Sequence, residues 1–240
     1  QRMNIVIDIG NTRFKVGIFD GKALKEKHSF QTKEELFLFL NQRSFKNAIV
    51  SSVGISGDEV ADRVNAIGMR ITLSHLLPLP ITIRYTTPHT LGVDRIAAAC
   101  GAWEMFPNQN SLVIDAGTCI TYDWVDGEGN YFGGSISPGL EMRLRAMHTF
   151  TARLPLVNVN REVALVGDST EHALQSGAWH GLLAEVDGII DRYQQPQGAV
   201  QVIVGGGDAL FFENRLKHTI FAAPELVLIG LNRILLYNAV

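Results

Sequence analysis

Val6-Ile7-Asp8-Ile9-Gly10-Asn11-Thr12 returns later in the chain as Val113-Ile114-Asp115-Ala116-Gly117-Thr118. Each copy is an apolar run that ends in Asp-x-Gly followed by Asn or Thr. A second β-rich run follows each copy and closes on an Asp-Gly pair, Phe19-Asp20-Gly21 in the first and Val125-Asp126-Gly127 in the second. Asp-Gly after such a run is a hairpin signal, because both residues tolerate the turn's positive φ. Two copies in 240 residues indicate two similar halves, residues 1–110 and 111–240. They would meet at the turn-rich stretch Pro107-Asn108-Gln109-Asn110-Ser111.

Helical patterns fill the spaces between strands. Thr32 with Glu35 three positions on is a capping box ahead of Leu36, Phe37, Phe39 and Leu40, predicting a helix over 32–40. Ile96, Cys100 and Trp103 recur at helical spacing within 94–106. Leu174, Ala178, Leu182 and Val186 form one stripe of a longer helix expected from Asp168 to about Tyr193. The apolar stretch from Glu225 to Tyr237 reads as a buried helix. Strand-like runs stand at 47–53, 81–85 and 200–204. The mixture places the chain in the α/β class, as a duplication of mixed sheets flanked by helices.

The totals exclude several partners. A net charge of −3 offers no basic excess to grip a phosphate backbone, so nucleic acid is not an expected partner. Cys100 and Cys119 are too few and too scattered for a disulfide framework or a zinc site, which suits a reducing cytoplasm. No run reaches the roughly 18 apolar residues of a spanning helix, so no membrane is expected. The first apolar run is short and holds Asp8, so no signal peptide is expected. Met3 reads as a natural start, with Gln1 and Arg2 as remnants before it.

The chemistry concentrates in a few segments. A strand ending at Asp8 sets a carboxylate at the sheet's edge. Gly10 then lets the backbone turn so that N–H groups point at an anion. Asn11, Thr12 and Lys15 add donors, while Asp8 suits Mg²⁺, directly or through water. The bland reading is a strand–turn–strand with a capping Asp; the second copy at Asp115–Thr118 weighs against it. Val202–Val204 leads into Gly205-Gly206-Gly207-Asp208, a buried strand ending in a glycine turn. In Gly92-Val93-Asp94-Arg95, Asp94 suits a general base for a substrate hydroxyl, and it equally suits a helix cap. Arg95 offers a planar fork to a carboxylate or phosphate. Gly133-Gly134-Ser135-Ile136-Ser137-Pro138-Gly139-Leu140 reads as a flexible loop, either wrapping a ligand or merely connecting. Asp168 with Glu171 reads as a capping pair around Thr170.

Paired Asp-x-Gly turns followed by a late glycine turn are the order of the acetate-kinase, sugar-kinase and actin superfamily, in which that late turn lies beside the adenosine. The full ordered set of Asp8-x-Gly-Asn-Thr, Tyr85, Gly92-x-Asp94-Arg95, Asp115-x-Gly-Thr118, Gly133–Leu140 and Ser169-Thr170 resembles type III pantothenate kinases from end to end. The resemblance implies two ribonuclease H-like (actin-like) halves and ATP-dependent phosphorylation of pantothenate, the first step of coenzyme A synthesis. It implies Mg²⁺, a monovalent cation such as K⁺ or NH₄⁺, and a homodimer with its substrate pocket near the subunit interface. It assigns Asp8, Ile9, Gly10, Asn11, Thr12, Arg13, Phe14, Lys15 and Thr118 to ATP, and Asp94 to the base role. It assigns Tyr85, Gly92, Val93, Asp94, Arg95 and Thr170 to pantothenate, and Asp115 to the monovalent cation. The family varies at Arg13-Phe14-Lys15, which leaves Arg13 and Lys15 the least constrained of these. Two alternatives remain at this stage: a kinase for another small metabolite, and a nucleotide-binding regulator of the same fold.

Overall fold

A computed structural model describes residues 3–54 and 57–239; Gln1 and Arg2 lie outside them. In chain order the elements are β1 (Asn4–Ile9), β2 (Phe14–Asp20), β3 (Ala23–Phe30), α1 (Lys33–Asn41), β4 (Ala48–Ser52), α2 (Gly57–Arg63), β5 (Arg70–Thr72), β6 (Thr82–Ile83) and α3 (Val93–Met105). There follow β7 (Ser111–Ala116), β8 (Cys119–Val125), β9 (Asn130–Pro138), α4 (Leu140–Thr149), α5 (Thr170–Gln197), β10 (Gln201–Gly205), β11 (Phe221–Ala222) and α6 (Leu226–Asn238). Two compact units result. One comprises Gln1–Gln109, Val125–Gly133 and Glu225–Val240; the other comprises Asn110–Trp124 and Gly134–Pro224.

The first unit carries a sheet in the order β3-β2-β1-β4-β5. Its first three strands pair antiparallel, and β4 and β5 join parallel. The six-stranded sheet repeats this order as β9-β8-β7-β10-β11, with β10 parallel to both β7 and β11, and adds β6 parallel to β9 at its edge. Strand β7 therefore stands where β1 stands, and β10 where β4 does. The burial of β1 and β7 matches residue for residue: four buried positions, one half-buried, one buried. The half-buried position is Asp8 in one strand and Asp115 in the other. An apolar strand covered on both faces reads as a continuous Val/Ile run, so its one carboxylate marks the single position where cover opens. The fold is thus a duplicated, mixed α/β architecture.

Each sheet has its own core. Ile5, Ile7, Ile9, Val16 and Ile18 pack with Leu36 and Leu40 of α1, and with Val60 and Val64. Leu112, Ile114, Ile120 and Tyr122 pack with Leu174, Ala178, Leu182 and Val186, the stripe expected on α5. At α1 the capping box is present as read, with Thr32 at the N-cap and Glu35 closing on it. In the first unit α6 packs on α3, β1, β2 and β4. The two helices touch backbone to backbone: a Cβ on Gly230 would stand 1.7 Å from the Ala97 carbonyl oxygen, and one on Gly101 2.4 Å from that of Leu226. Asn232 Nδ2 donates to the Gly21 carbonyl at 3.0 Å, tying α6 to the β2–β3 turn.

Two local expectations need correcting. Residues 133–138 form the second part of β9 rather than a free loop, and Gly139 is the N-cap of α4. These glycines are there for contact: a Cβ on Gly134 would stand 1.6 Å from the Tyr122 carbonyl oxygen. At α5 the cap is Ser169, whose Oγ accepts from the His172 N–H at 3.1 Å. Asp168 instead bonds the His172 ring. Among the described residues no helix is long and apolar enough to cross a membrane.

Candidate active site

Asp8 lies in register between Lys15 on β2 and Ser51 on β4. Registered neighbours share a face, so a cation, a carboxylate and a hydroxyl form one row across three strands. The turn beyond it closes where the Gly10 N–H donates to the Arg13 carbonyl at 3.1 Å. Asn11, Thr12 and Arg13 are left exposed, and Lys15 half-buried. Arg13 Nη1 also reaches Ser29 Oγ at 3.4 Å. The Ile9 and Phe14 side chains belong to the core, so only their backbone is available to a ligand.

The second turn is tighter. Gly117 N–H donates to the Cys119 carbonyl at 3.0 Å, and Gly139 N–H braces the Thr118 carbonyl at 3.0 Å. A Cβ on Gly139 would stand 2.2 Å from the Gly117 oxygen, so α4 begins directly against this turn. Thr118 is exposed.

Asp115 is in register with Gly205, and the late glycine turn folds over it. Gly206 adopts φ +86, and a Cβ there would stand 2.4 Å from both the Ala116 carbonyl oxygen and Asp115 Oδ1. Only glycine permits this approach. The Asp208 N–H then donates to the Ala116 carbonyl at 3.1 Å. Burial holds the Asp208 carboxyl above the usual carboxylate range, although the Arg161 guanidinium beside it acts in the opposite direction. The chain continues as a short 3₁₀ turn, Ala209–Phe212.

In the first unit, Gly92 holds the N-cap of α3 and offers no side-chain cap bond. Asp94 sits one position inside the helix, half-buried, and its Oδ1 accepts from the Arg95 N–H at 2.9 Å. One carboxylate oxygen thus serves the helix end. Arg95 is buried, with its guanidinium 5.8 Å from the centroid of the Tyr85 ring. Tyr85 in turn lies 6.3 Å from Tyr131, centroid to centroid, and against Gly133. The pieces named from sequence as Tyr85 and Gly92–Arg95 therefore form one cluster. Val93 is the first residue of its helix. Thr170, exposed at the first position of α5, belongs to the second unit with Asp115 and Thr118.

One polar network escaped the sequence reading. Tyr122 Oη donates to Glu185 Oε1 at 2.8 Å, and Arg143 pairs with the other oxygen of that carboxylate. Arg143 also donates to Ser137 Oγ at 3.1 Å and to the Pro138 carbonyl at 2.9 Å. These residues come from β8, β9, α4 and α5, so no local signal marks them. Among the described residues, no cluster of three or more His, Cys, Asp or Glu could hold a metal ion unaided.

Two sheets of one strand order, each with a carboxylate next to the end of its first strand and a glycine turn beyond, define an actin-like ATPase and sugar-kinase fold. The activator of the 2-hydroxyisocaproyl-CoA dehydratase from Clostridium difficile, solved with bound ADPNP, shares it with a TM-score of 0.53 at 13% identity, over 98% of this chain and 93% of that one. Within this class the chain belongs to the type III pantothenate kinase family, whose model matches residues 4–192. The type III pantothenate kinase of Cytophaga hutchinsonii is 42% identical over 98% of this chain and 100% of its own length. That of Bacteroides fragilis is 44% identical over 98% of both.

Proposed function

We propose that the protein transfers the γ-phosphoryl group of ATP to the primary hydroxyl of pantothenate, giving 4'-phosphopantothenate. The observation that carries this is the Asp94–Arg95–Tyr85 cluster, in a chain that matches pantothenate kinases over nearly its full length. Asp94 has one oxygen on the helix end and the other available to orient and deprotonate the acceptor hydroxyl. Arg95 and Tyr85, with Gly92, Val93 and Thr170, hold pantothenate, the guanidinium answering its carboxylate.

The turn from Asp8 to Lys15 and Thr118 take the ATP phosphates. Asp8 is a half-buried oxygen donor at a strand end, which suits Mg²⁺, and Lys15 beside it suits phosphate oxygens. Bound Mg²⁺ neutralises charge on those oxygens. Asp115, a carboxylate covered by backbone, suits a monovalent cation, K⁺ or NH₄⁺. Because transfer of this kind has a loose transition state, positioning and charge neutralisation supply most of the rate. The same reading makes the protein a cytoplasmic homodimer without nucleic-acid or membrane partners.

The test is ADP release with and without pantothenate, in the presence and absence of K⁺. The expected result is release that needs pantothenate and is raised by K⁺. ATP binding without pantothenate-dependent release would reduce the protein to a nucleotide-binding regulator. Release with another small alcohol instead would reassign the substrate.

A further inference from the structure

The glycine turn over Asp115 is held from outside. Its last residue, Asp208, accepts a hydrogen bond from Arg161 Nη2 at 2.6 Å. Arg161 comes from residues 150–169, a long segment with neither helix nor strand. Segments of that length inside a compact fold usually serve a function. The Arg161 guanidinium also stacks on Phe211, 3.8 Å from the ring centroid. A second tie runs the opposite way: Arg215 Nη1 donates to the Arg161 carbonyl at 2.9 Å, and its Nη2 pairs with Glu162. Both guanidinia approach the buried Trp179 ring, at 6.0 and 5.9 Å. Segment and turn are thus clasped by two reciprocal arginines over one indole.

We infer that Arg161, acting through Asp208, is a positioning residue for the Asp115 site: the ion pair fixes the Gly206 backbone against the Asp115 carboxylate and so sets the affinity for the monovalent cation. This rests on the reading of Asp115 as that cation's ligand. Charge alone makes the opposite demand. Removing the guanidinium leaves Asp208 uncompensated, and an extra negative charge attracts a cation more strongly. Positioning makes the same removal weaken binding, because the turn loses its anchor.

The experiment is a K⁺ titration of the thermal midpoint, with choline chloride holding ionic strength constant, for the unaltered protein, Arg161→Gln and Arg161→Lys. K⁺ bound to the folded state raises the midpoint of the unaltered protein. Arg161→Gln is expected to raise the half-saturating K⁺ concentration by about 10–100-fold, the usual cost of losing an outer-sphere partner of a metal site. Arg161→Lys keeps the charge but loses the planar fork and falls between. It also decides the matter should the Gln variant fail to fold. The K⁺ concentration for half-maximal turnover should follow the same order. Unchanged or tighter K⁺ binding in the variants overturns the inference while leaving the cation reading intact. A native protein that gains nothing from K⁺ over choline overturns both.

Discussion

Tyr85 packs its ring onto the bare backbone of Gly133: a Cβ at that glycine would stand 2.7 Å from two ring carbons. Gly133 also holds φ +94, outside the range of L side chains. Gly133→Ala therefore meets strain and collision together, worth roughly 1–3 kcal/mol. The thermal midpoint should fall, and the KM for pantothenate should rise while that for ATP stays put. An alanine variant with native stability and native KM would show that the ring does not depend on this contact.

Asp94→Asn separates the two jobs of that side chain. The amide oxygen can still accept from the Arg95 N–H, so the midpoint should shift by less than about 1 kcal/mol equivalent. Loss of a positioned base should lower kcat by about 10²–10⁴-fold, with ATP affinity unchanged by calorimetry. Undiminished turnover would remove Asp94 from the base role.

Asp8→Ala empties the centre of the row formed with Lys15 and Ser51. Affinity for Mg·ATP should drop by more than the roughly 10–100-fold that losing an outer-sphere partner costs. Metal-free ATP should suffer less. Equal losses with and without Mg²⁺ would mean that Asp8 shapes the turn and does not meet the metal.

Acid should loosen the second unit through Glu185. Burial alone would raise this carboxyl, but hydrogen bonds from Arg143, Tyr122 and Ser137 hold it below the usual carboxylate range. The unfolded chain then binds its proton first as pH falls. The stabilisation is complete above the unfolded value of about 4.3 and is lost as pH drops through the lower folded value. Glu185→Gln should start from a lower midpoint at neutral pH and show a shallower decline below about pH 5. Parallel melting curves for the two proteins across that range would clear Glu185 of this role.

What could be read from sequence was what is decided within a few residues. The Val/Ile runs ending in Asp8 and Asp115 announced two apolar strands. Thr32 and Glu35 announced their helix because a capping box closes on itself. Residues 133–139 misled because glycine's freedom and glycine's necessity look alike in sequence; only the Tyr122 carbonyl and the Tyr85 ring reveal the second. At α5 the adjacent Asp168 and Ser169 both suit a cap, and the hydrogen bond to His172 chose Ser169. The repeated Asp-x-Gly also concealed a difference: the first turn closes on Arg13, the second on Cys119. The Tyr122–Arg143–Glu185 network and the Arg161–Asp208 pair join distant segments, and no spacing encodes them.

The Gly101–Gly230 contact has a bearing on biosynthesis. β1 leaves the ribosome ahead of the second unit, yet α6, which covers it, is synthesised after β11. Every residue of the second unit has been synthesised by then. The unit begun first is therefore the one completed last, and its opening hairpin must wait, with one apolar face uncovered, until α6 has been made.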